Sequence, residues 1–321
     1  MKRAFSLVAA TLLVTCSAYA QDYPSDSVTL VVPYGPGGAS DLAGRALAES
    51  AREFLGQPVT VVNQSGAGGM SGARDVSQSE PDGYTLLLAR VGMALSPAVN
   101  ANSSVDWDEY TFLSALEATP MILAVADDSP YKNVEELLEG IESNLGGMSY
   151  AASGATAIDG FTVQTLLSDA GLDPLSAATL VPFRGGGALA TALLGGHVDF
   201  LAIAAGSLMP HIESGDMRPL MVYSPERMAA LPDVPTAEEL GYELAGQVVG
   251  WSALYGPPDL PEDVITTWDT VLEQVAESDS WLSRAEDRGS ISTIGSVDMA
   301  TYAQEQYEFY HELAKEFGYL Q

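Results

Sequence analysis

One short motif, met twice, constrains the fold more than any other feature. Val32-Pro33-Tyr34-Gly35-Pro36-Gly37-Gly38 and Val181-Pro182-Phe183-Arg184-Gly185-Gly186-Gly187 share the order Val, Pro, aromatic, two variable positions, Gly, Gly. Each follows an apolar run rich in β-branched residues and precedes a helical pattern. Around the first copy, Val28 to Pro33 reads as a strand and Ala39 to Leu55 as a helix with Ala43, Leu47, Ser50 and Phe54 on one face. Strand, glycine turn and helix in alternation give a parallel sheet covered on both faces. At roughly 100–200 residues per domain, 321 residues suffice for two such units.

The pattern continues with strands at Val59 to Val62 and Tyr84 to Ala89, a short helix at Ser71 to Ser79, and a turn at Pro81-Asp82-Gly83. Met121 to Ala126 leads into the second unit. There Asn133 and Glu136 form a capping box before a helix striped by Val134, Leu137, Leu138, Ile141 and Leu145. Strands follow at Met148 to Ala152, Thr179 to Pro182, Val198 to Ala202 and Pro219 to Tyr223, with a helix at Ile158 to Ala170 and another capped by Thr236 with Glu239. The chain then rejoins the first unit through Gly250 to Tyr255, Val264 to Val275 and a terminal helix whose Tyr302, Gln306, Phe309, Tyr310, Leu313 and Phe317 form its core face. The expected architecture is two α/β domains, each a mainly parallel sheet covered by helices. Residues 21–123 with 231–321 form the first, and 124–230 the second. Ligands of such folds sit at the carboxyl ends of the strands, so the two motifs are expected to face each other across a cleft.

Lys2 and Arg3, the apolar Ala4 to Val14 and the small-residue Ala18-Tyr19-Ala20 form an export signal, residues 1–20, with cleavage expected after Ala20. The apolar stretch falls short of the ~20 residues a bilayer crossing needs. An exported, periplasmic protein is implied. The alternative, a lipoprotein acylated at Cys16, is disfavoured by Thr15. Loss of the signal removes Cys16, the only cysteine, and takes the 13 basic residues to 11 against 43 acidic ones, a charge of −32. Such a chain lacks the basic surface that nucleic acid requires. Its acidic residues recur throughout and read as a solvated shell suited to high salt.

Glycines at a strand's end expose bare backbone, and the helix that follows presents unpaired N–H groups and a positive dipole end; together these favour an anion. The candidate ligand-binding residues are therefore Tyr34, Gly35, Pro36, Gly37, Gly38, Ala39, Ser40 and Asp41 in the first loop, and Phe183, Arg184 and Gly185 in the second. Arg184 and Arg90, at the end of a strand, are the cations best placed to assist. Asp41 and Asp159 each stand just inside a helix start, where a cap or dipole partner is the plain explanation. Catalytic patterns are missing. His197, His211 and His311 have no metal-ligand spacing, Ser153 has no local base, and there is no GxSxG elbow or Walker lysine. No metal or cofactor is expected. The one enzyme reading, a nucleotide-dependent oxidoreductase using Gly66, Gly68 and Gly72, fails on spacing because the glycines run GxGxxxG.

These segments, taken in order, resemble the Bug family of periplasmic solute-binding proteins, the binding component of tripartite tricarboxylate transporters. The resemblance rests on Val31-Val32-Pro33-Tyr34 with Pro36-Gly37-Gly38 and Asp41, Gly66-Ala67-Gly68-Gly69 with Gly72, Pro81-Asp82-Gly83-Tyr84-Thr85, and Ser153-Gly154. It continues through Val181-Pro182-Phe183 with Gly185-Gly186, Leu194-Gly195-Gly196 with Val198-Asp199, Pro225-Glu226-Arg227 and Leu231-Pro232-Asp233-Val234-Pro235-Thr236. It implies a Venus-flytrap fold, no enzymatic activity, a small di- or tricarboxylate ligand, and delivery to integral-membrane permease subunits by a monomer. It adds Ser153, Gly154, Ala155 and Thr156 to the ligand loops, with Asp159 beside them. The runs at Ser153 to Asp159 and Pro182 to Gly187 are similar to the tricarboxylate-type branch. Two departures stand out: Gly160 where a histidine often follows the aspartate, and Gln64-Ser65 in place of Arg-Pro.

Overall fold

The computed structural model describes residues 23–320; the export signal and Cys16 lie outside the described residues. The first sheet begins with β1 (Val28–Val32), β2 (Val59–Asn63) and β3 (Thr85–Arg90), all parallel. Between them run α1 (Ala39–Leu55) and α2 (Met70–Ser77); α3 (Gly92–Val99) and β4 (Thr111–Thr119) follow. Val28, Leu30 and Val32 of β1 face α1, while Val31 faces α2 and α3, so this strand is apolar on both sides as a covered parallel strand must be.

The chain then crosses at Pro120 into a second sheet. It comprises β5 (Met121–Ala126), β6 (Ser149–Ala152), β7 (Thr179–Pro182), β8 (Phe200–Ala204) and β9 (Met217–Tyr223). Interleaved with these are α4 (Val134–Ser143), α5 (Ile158–Asp169), α6 (Gly186–Leu194), α7 (Met209–Glu213) and α8 (Glu243–Gly246). It returns as β10 (Gly250–Gly256), α9 (Glu262–Ala276), α10 (Asp279–Asp287), β11 (Ile291–Ser292) and α11 (Met299–Glu316). The strand orders are β11-β4-β10-β3-β1-β2 and β7-β6-β8-β5-β9.

Both sheets are mixed rather than mainly parallel. Each keeps a parallel trio, but β10 pairs antiparallel with β3 and β4, and β5 antiparallel with β8 and β9. The crossings explain it. Strands β1, β2, β3 and β4 end at one edge of their sheet, and β6, β7 and β8 end at one edge of theirs. A strand that enters through that edge must run the other way, and β5 and β10 are the two that enter.

The crossings also move the domain limits expected near residues 124 and 230. All of β5 belongs to the second sheet. Residues 231–249 stay there too: Val222 N–H donates to Pro235 O (3.0 Å), Ala237 N–H to Val222 O (2.9 Å), and Ala237, Ala245 and Val248 are buried in the second core. Thr236 thus bridges Val222 of β9, the edge strand of the second sheet.

Other local differences have local causes. Thr236 and Glu239 do form a reciprocal capping box (3.1 and 3.0 Å), but it closes one turn only, because Gly241, at φ +83°, lets Tyr242 N–H fold back to Ala237 O (2.9 Å). Asn133 caps α4 as expected, while the Glu136 carboxylate accepts from Lys132 N–H. Leu145 falls beyond the end of α4 and is 64% exposed. The terminal helix buries Gln306, Tyr310 and Leu313 as its spacing predicts, with Tyr302 and Phe309 only partly buried and Phe317 buried just past its end; Gln306 accepts from Trp251 Nε1 at 3.2 Å. Past that helix, Phe317 and Tyr319 join Tyr310 around Phe161 of α5, with ring centroids 5.5–6.1 Å apart, so the end of the chain clasps the second lobe.

Candidate functional site

Strand direction fixes where the loops meet. β1, β2 and β3 deliver Tyr34–Gly38, Gln64–Gly69 and Arg90–Gly92 to one edge of the first sheet. Register places Thr119 opposite Gly250, and Ser252 opposite Arg90, at that same edge. In the second sheet, Met121 is opposite Ala204, so the edge beside the Pro120 crossing is the one from which Ser153, Phe183 and Ala205 emerge. Ala205 N–H donates to Pro120 O at 2.9 Å. Both repeated motifs therefore open toward the crossing, one from each sheet, and the Ser153 loop lies beside the second.

In the first loop Gly37 takes φ +78°, and its N–H donates to Asp41 Oδ2 (2.9 Å). That oxygen also accepts from Arg45 Nε (3.0 Å), while Oδ1 accepts from Asn63 Nδ2 (3.0 Å) and Arg45 Nη2 (2.9 Å). Asn63 donates as well to Tyr34 O (3.1 Å). Asp41 is 2% exposed, and both its oxygens are committed. It braces the glycine turn. The Arg45 hydrogen bonds above all, then those from Gly37 and Asn63, hold its carboxyl below the usual range.

Asp159 does the same in the second lobe. Its Oδ2 accepts from Ser153 N–H (2.9 Å) and Ser153 Oγ (2.5 Å), and Oδ1 from Gly160 N–H (3.0 Å). Burial pushes this carboxyl up, against the opposing pull of Ser153. The turn is drawn so tightly over α5 that a Cβ on Gly160 would collide with Gly154 O and lie 2.8 Å from Ala155 O. No side chain fits there, which accounts for glycine at this position. Gln164 Nε2 (2.9 Å) and Tyr319 OH (3.4 Å) donate to Ala155 O.

What remains is exposed backbone. A Cβ added at Gly35, Gly37, Gly154, Gly185 or Gly187 would meet nothing within 4 Å. The helices behind these turns, α1, α5 and α6, begin at Gly38, Ala157 and Gly185 with no side-chain cap, whereas Asn133, Ser278 and Asp298 cap α4, α10 and α11. Pro36, Ala39, Thr156 and Arg184 are exposed, Phe183 is partly buried, and Ser40 is buried. Arg184 makes no side-chain hydrogen bond or ion pair among the described residues.

Beneath the first loop lies a polar cluster that the sequence reading found only in part. Arg90 Nη2 donates to Thr119 Oγ1 (3.1 Å), which meets Ser290 Oγ at 3.0 Å. Arg288 is ion-paired with Glu117, which is fully buried, and lies over the Trp281 ring at 5.7 Å. Burial lowers the Arg90 pKa, with Glu117 and Tyr34 opposing the shift. Burial raises the Tyr34 hydroxyl, which Arg90 partly offsets. Glu117 alone could have flagged the cluster, as a carboxylate inside an otherwise apolar strand.

The Gly66–Gly72 turn is filled in part from within. A Cβ at Gly69 would be 3.0 Å from the Tyr34 ring, one at Gly66 2.7 Å from Ser71 Oγ, and one at Gly72 2.7 Å from Gln64 O. These three glycines make room for their own neighbours, whereas a Cβ at Gly68 would meet nothing within 4 Å. Among the described residues no group of three or more His, Asp or Glu side chains could hold a metal ion.

Two sheets of this topology, each presenting glycine turns at a shared edge, define a two-domain binding protein of the periplasmic type. The chain belongs to the tripartite tricarboxylate transporter family receptor group, whose family model matches residues 43–318. A UPF0065 protein of Bordetella pertussis is 30% identical over 281 residues, 87% of this chain and 85% of that relative. The structure of the periplasmic binding protein BugD is 28% identical with a TM-score of 0.78, over 92% of this chain and 99% of the other. MatC from Rhodopseudomonas palustris, solved with bound malate, is 26% identical with a TM-score of 0.78, over 91% and 100%.

Proposed function

We propose that this chain is an exported, extracytoplasmic solute-binding protein that holds a small di- or tricarboxylate between its two lobes. It carries out no reaction, and it delivers the solute to the permease subunits of a tripartite transporter. The observation that carries this reading is the unobstructed backbone of Gly35, Gly154, Gly185 and Gly187 at the starts of three helices without side-chain caps. Free N–H groups and the dipole ends of helices favour a carboxylate without a buried lysine. At about 1.5–3 kcal/mol for each hydrogen bond to a charged group, four such donors approach the ~8 kcal/mol of micromolar binding. Asp41 and Asp159 shape the turns, and Arg184 supplies a cation at the rim. The malate bound by MatC is a carboxylate of this class. Contacts to both lobes would favour a closed state, which the permease then reads. The acidity belongs to the same setting: an exported surface bathed in a saline medium.

The test is a thermal-shift panel of malate, succinate, citrate, aromatic acids and amino acids on ligand-stripped protein, run on wild type and Arg184→Ala. A rise in melting temperature with malate, succinate or citrate is expected. Arg184→Ala should weaken carboxylate binding more than it lowers the unliganded melting temperature; unchanged affinity would remove Arg184 from the site. No response to any carboxylate, or turnover of one, would overturn the reading.

A further inference from the structure

The cluster under the first loop carries an unbalanced charge. Two guanidinium groups, Arg90 and Arg288, share one carboxylate, Glu117, and Arg288 is the one in direct contact with it. Arg90 is left with hydroxyl company. Its only side-chain hydrogen bond among the described residues runs from Nη2 to Thr119, and its solvent-shielded Nε has no partner. The Oγ of Ser252, the residue opposite Arg90 in β10, is likewise buried and unpartnered. A shielded cation that shares its one counter-charge with a second cation is costly, and buried donors left unmade are rare enough to require a cause.

Position supplies one. Arg90 is the last residue of β3, on the edge where the Tyr34–Gly38 turn emerges, and it remains partly exposed there. Arg184 sits on an exposed turn. Arg90 instead projects from a central strand and is steadied by the Thr119–Ser290 pair, so it can select by distance as well as by charge.

We propose that Arg90 is a specificity-determining residue that receives a second acidic group of the solute while the loop amides hold the first. The site thereby selects a dicarboxylate over a monoanion of equal length. This rests on the reading of the cleft as a carboxylate site.

Calorimetric titration with L-malate and with its monoamide, the same skeleton with one charge removed, separates the two ideas. Wild type should prefer malate about ten- to hundredfold, the range expected of one charge-assisted hydrogen bond. Arg90→Gln should bind the two alike, with affinity for the monoamide within about threefold of wild type, because the monoamide offers residue 90 only a neutral hydrogen bond. Arg90→Lys, which keeps the charge, should retain most of the preference and guards against a glutamine variant that fails to fold. A glutamine variant that keeps the full preference, or loses affinity for both ligands equally, overturns the assignment of Arg90 alone. A wild type that binds neither ligand overturns the carboxylate site itself and this proposal with it.

Discussion

Replacing Asp41 with asparagine tests whether the first glycine turn is held by its carboxylate. Each oxygen of Asp41 accepts hydrogen bonds from two sides: Gly37 N–H and Arg45 Nε on one, Asn63 Nδ2 and Arg45 Nη2 on the other. An amide must set its own N–H₂ against one of these donor pairs, so at least one charge-assisted bond is lost and a donor faces a donor. A hydrogen bond to a charged group contributes about 1.5–3 kcal/mol. The exposed Arg45 argues for the lower half of that range, since solvent screens such pairs. A loss of about 1.5–2 kcal/mol lowers the melting temperature by about 2–3 °C in a protein of this size. Melting temperature is the safer readout, because a two-lobed chain need not unfold in one step. The effect has a definite pH dependence. The carboxyl is held below its ordinary value of 3.8, so its stabilisation is complete above that value and disappears as the pH falls through the lowered pKa. Asparagine does not titrate, so the gap between the two proteins should be constant near neutrality and close in acid. Equal melting at pH 7, or a gap that persists undiminished below pH 3, would refute the bracing role.

Two further outcomes are expected. Gly160→Ala forces a methyl group against the carbonyls of Gly154 and Ala155; overpacking of this kind costs about 1–3 kcal/mol. The displaced turn should cost more in carboxylate affinity than in stability, and calorimetry with an unchanged dissociation constant would show that the turn is not used. If the charge of −32 is an adaptation to brine, the melting temperature should climb as NaCl rises from 0.1 to 1 M, where the screening length falls from about 10 to 3 Å; a flat or falling curve sinks that idea.

The fold was legible wherever periodicity was simple. The strands around Val28, Val59 and Thr85, the helix after Gly38 and the aromatic stripe of α11 all follow from residue spacing. β4 did not, and its register shows why: bulges opposite Ser252/Ala253 and Leu254/Tyr255 break the alternation, and Glu117 interrupts its apolar face. The direction of β5 and β10 was hidden because it depends on where the chain crosses between sheets, which no local pattern records. At the site, glycine pointed to the turns, but the helix-start places of Asp41 and Asp159 pointed to caps or dipole partners, whereas α1 and α5 have no side-chain cap and these carboxylates brace the preceding turns. Asn63 and Arg288 were not, because each acts on a partner at least 22 residues away.

The clasp of Phe317 and Tyr319 on Phe161 has a mechanical corollary. It is a third tether besides the two crossings, and it grips the helix whose leading turn is Ser153–Ala157. Were the lobes to part, these ring contacts would restrain the Phe161 side, so Ser153 would travel a shorter arc than Arg184.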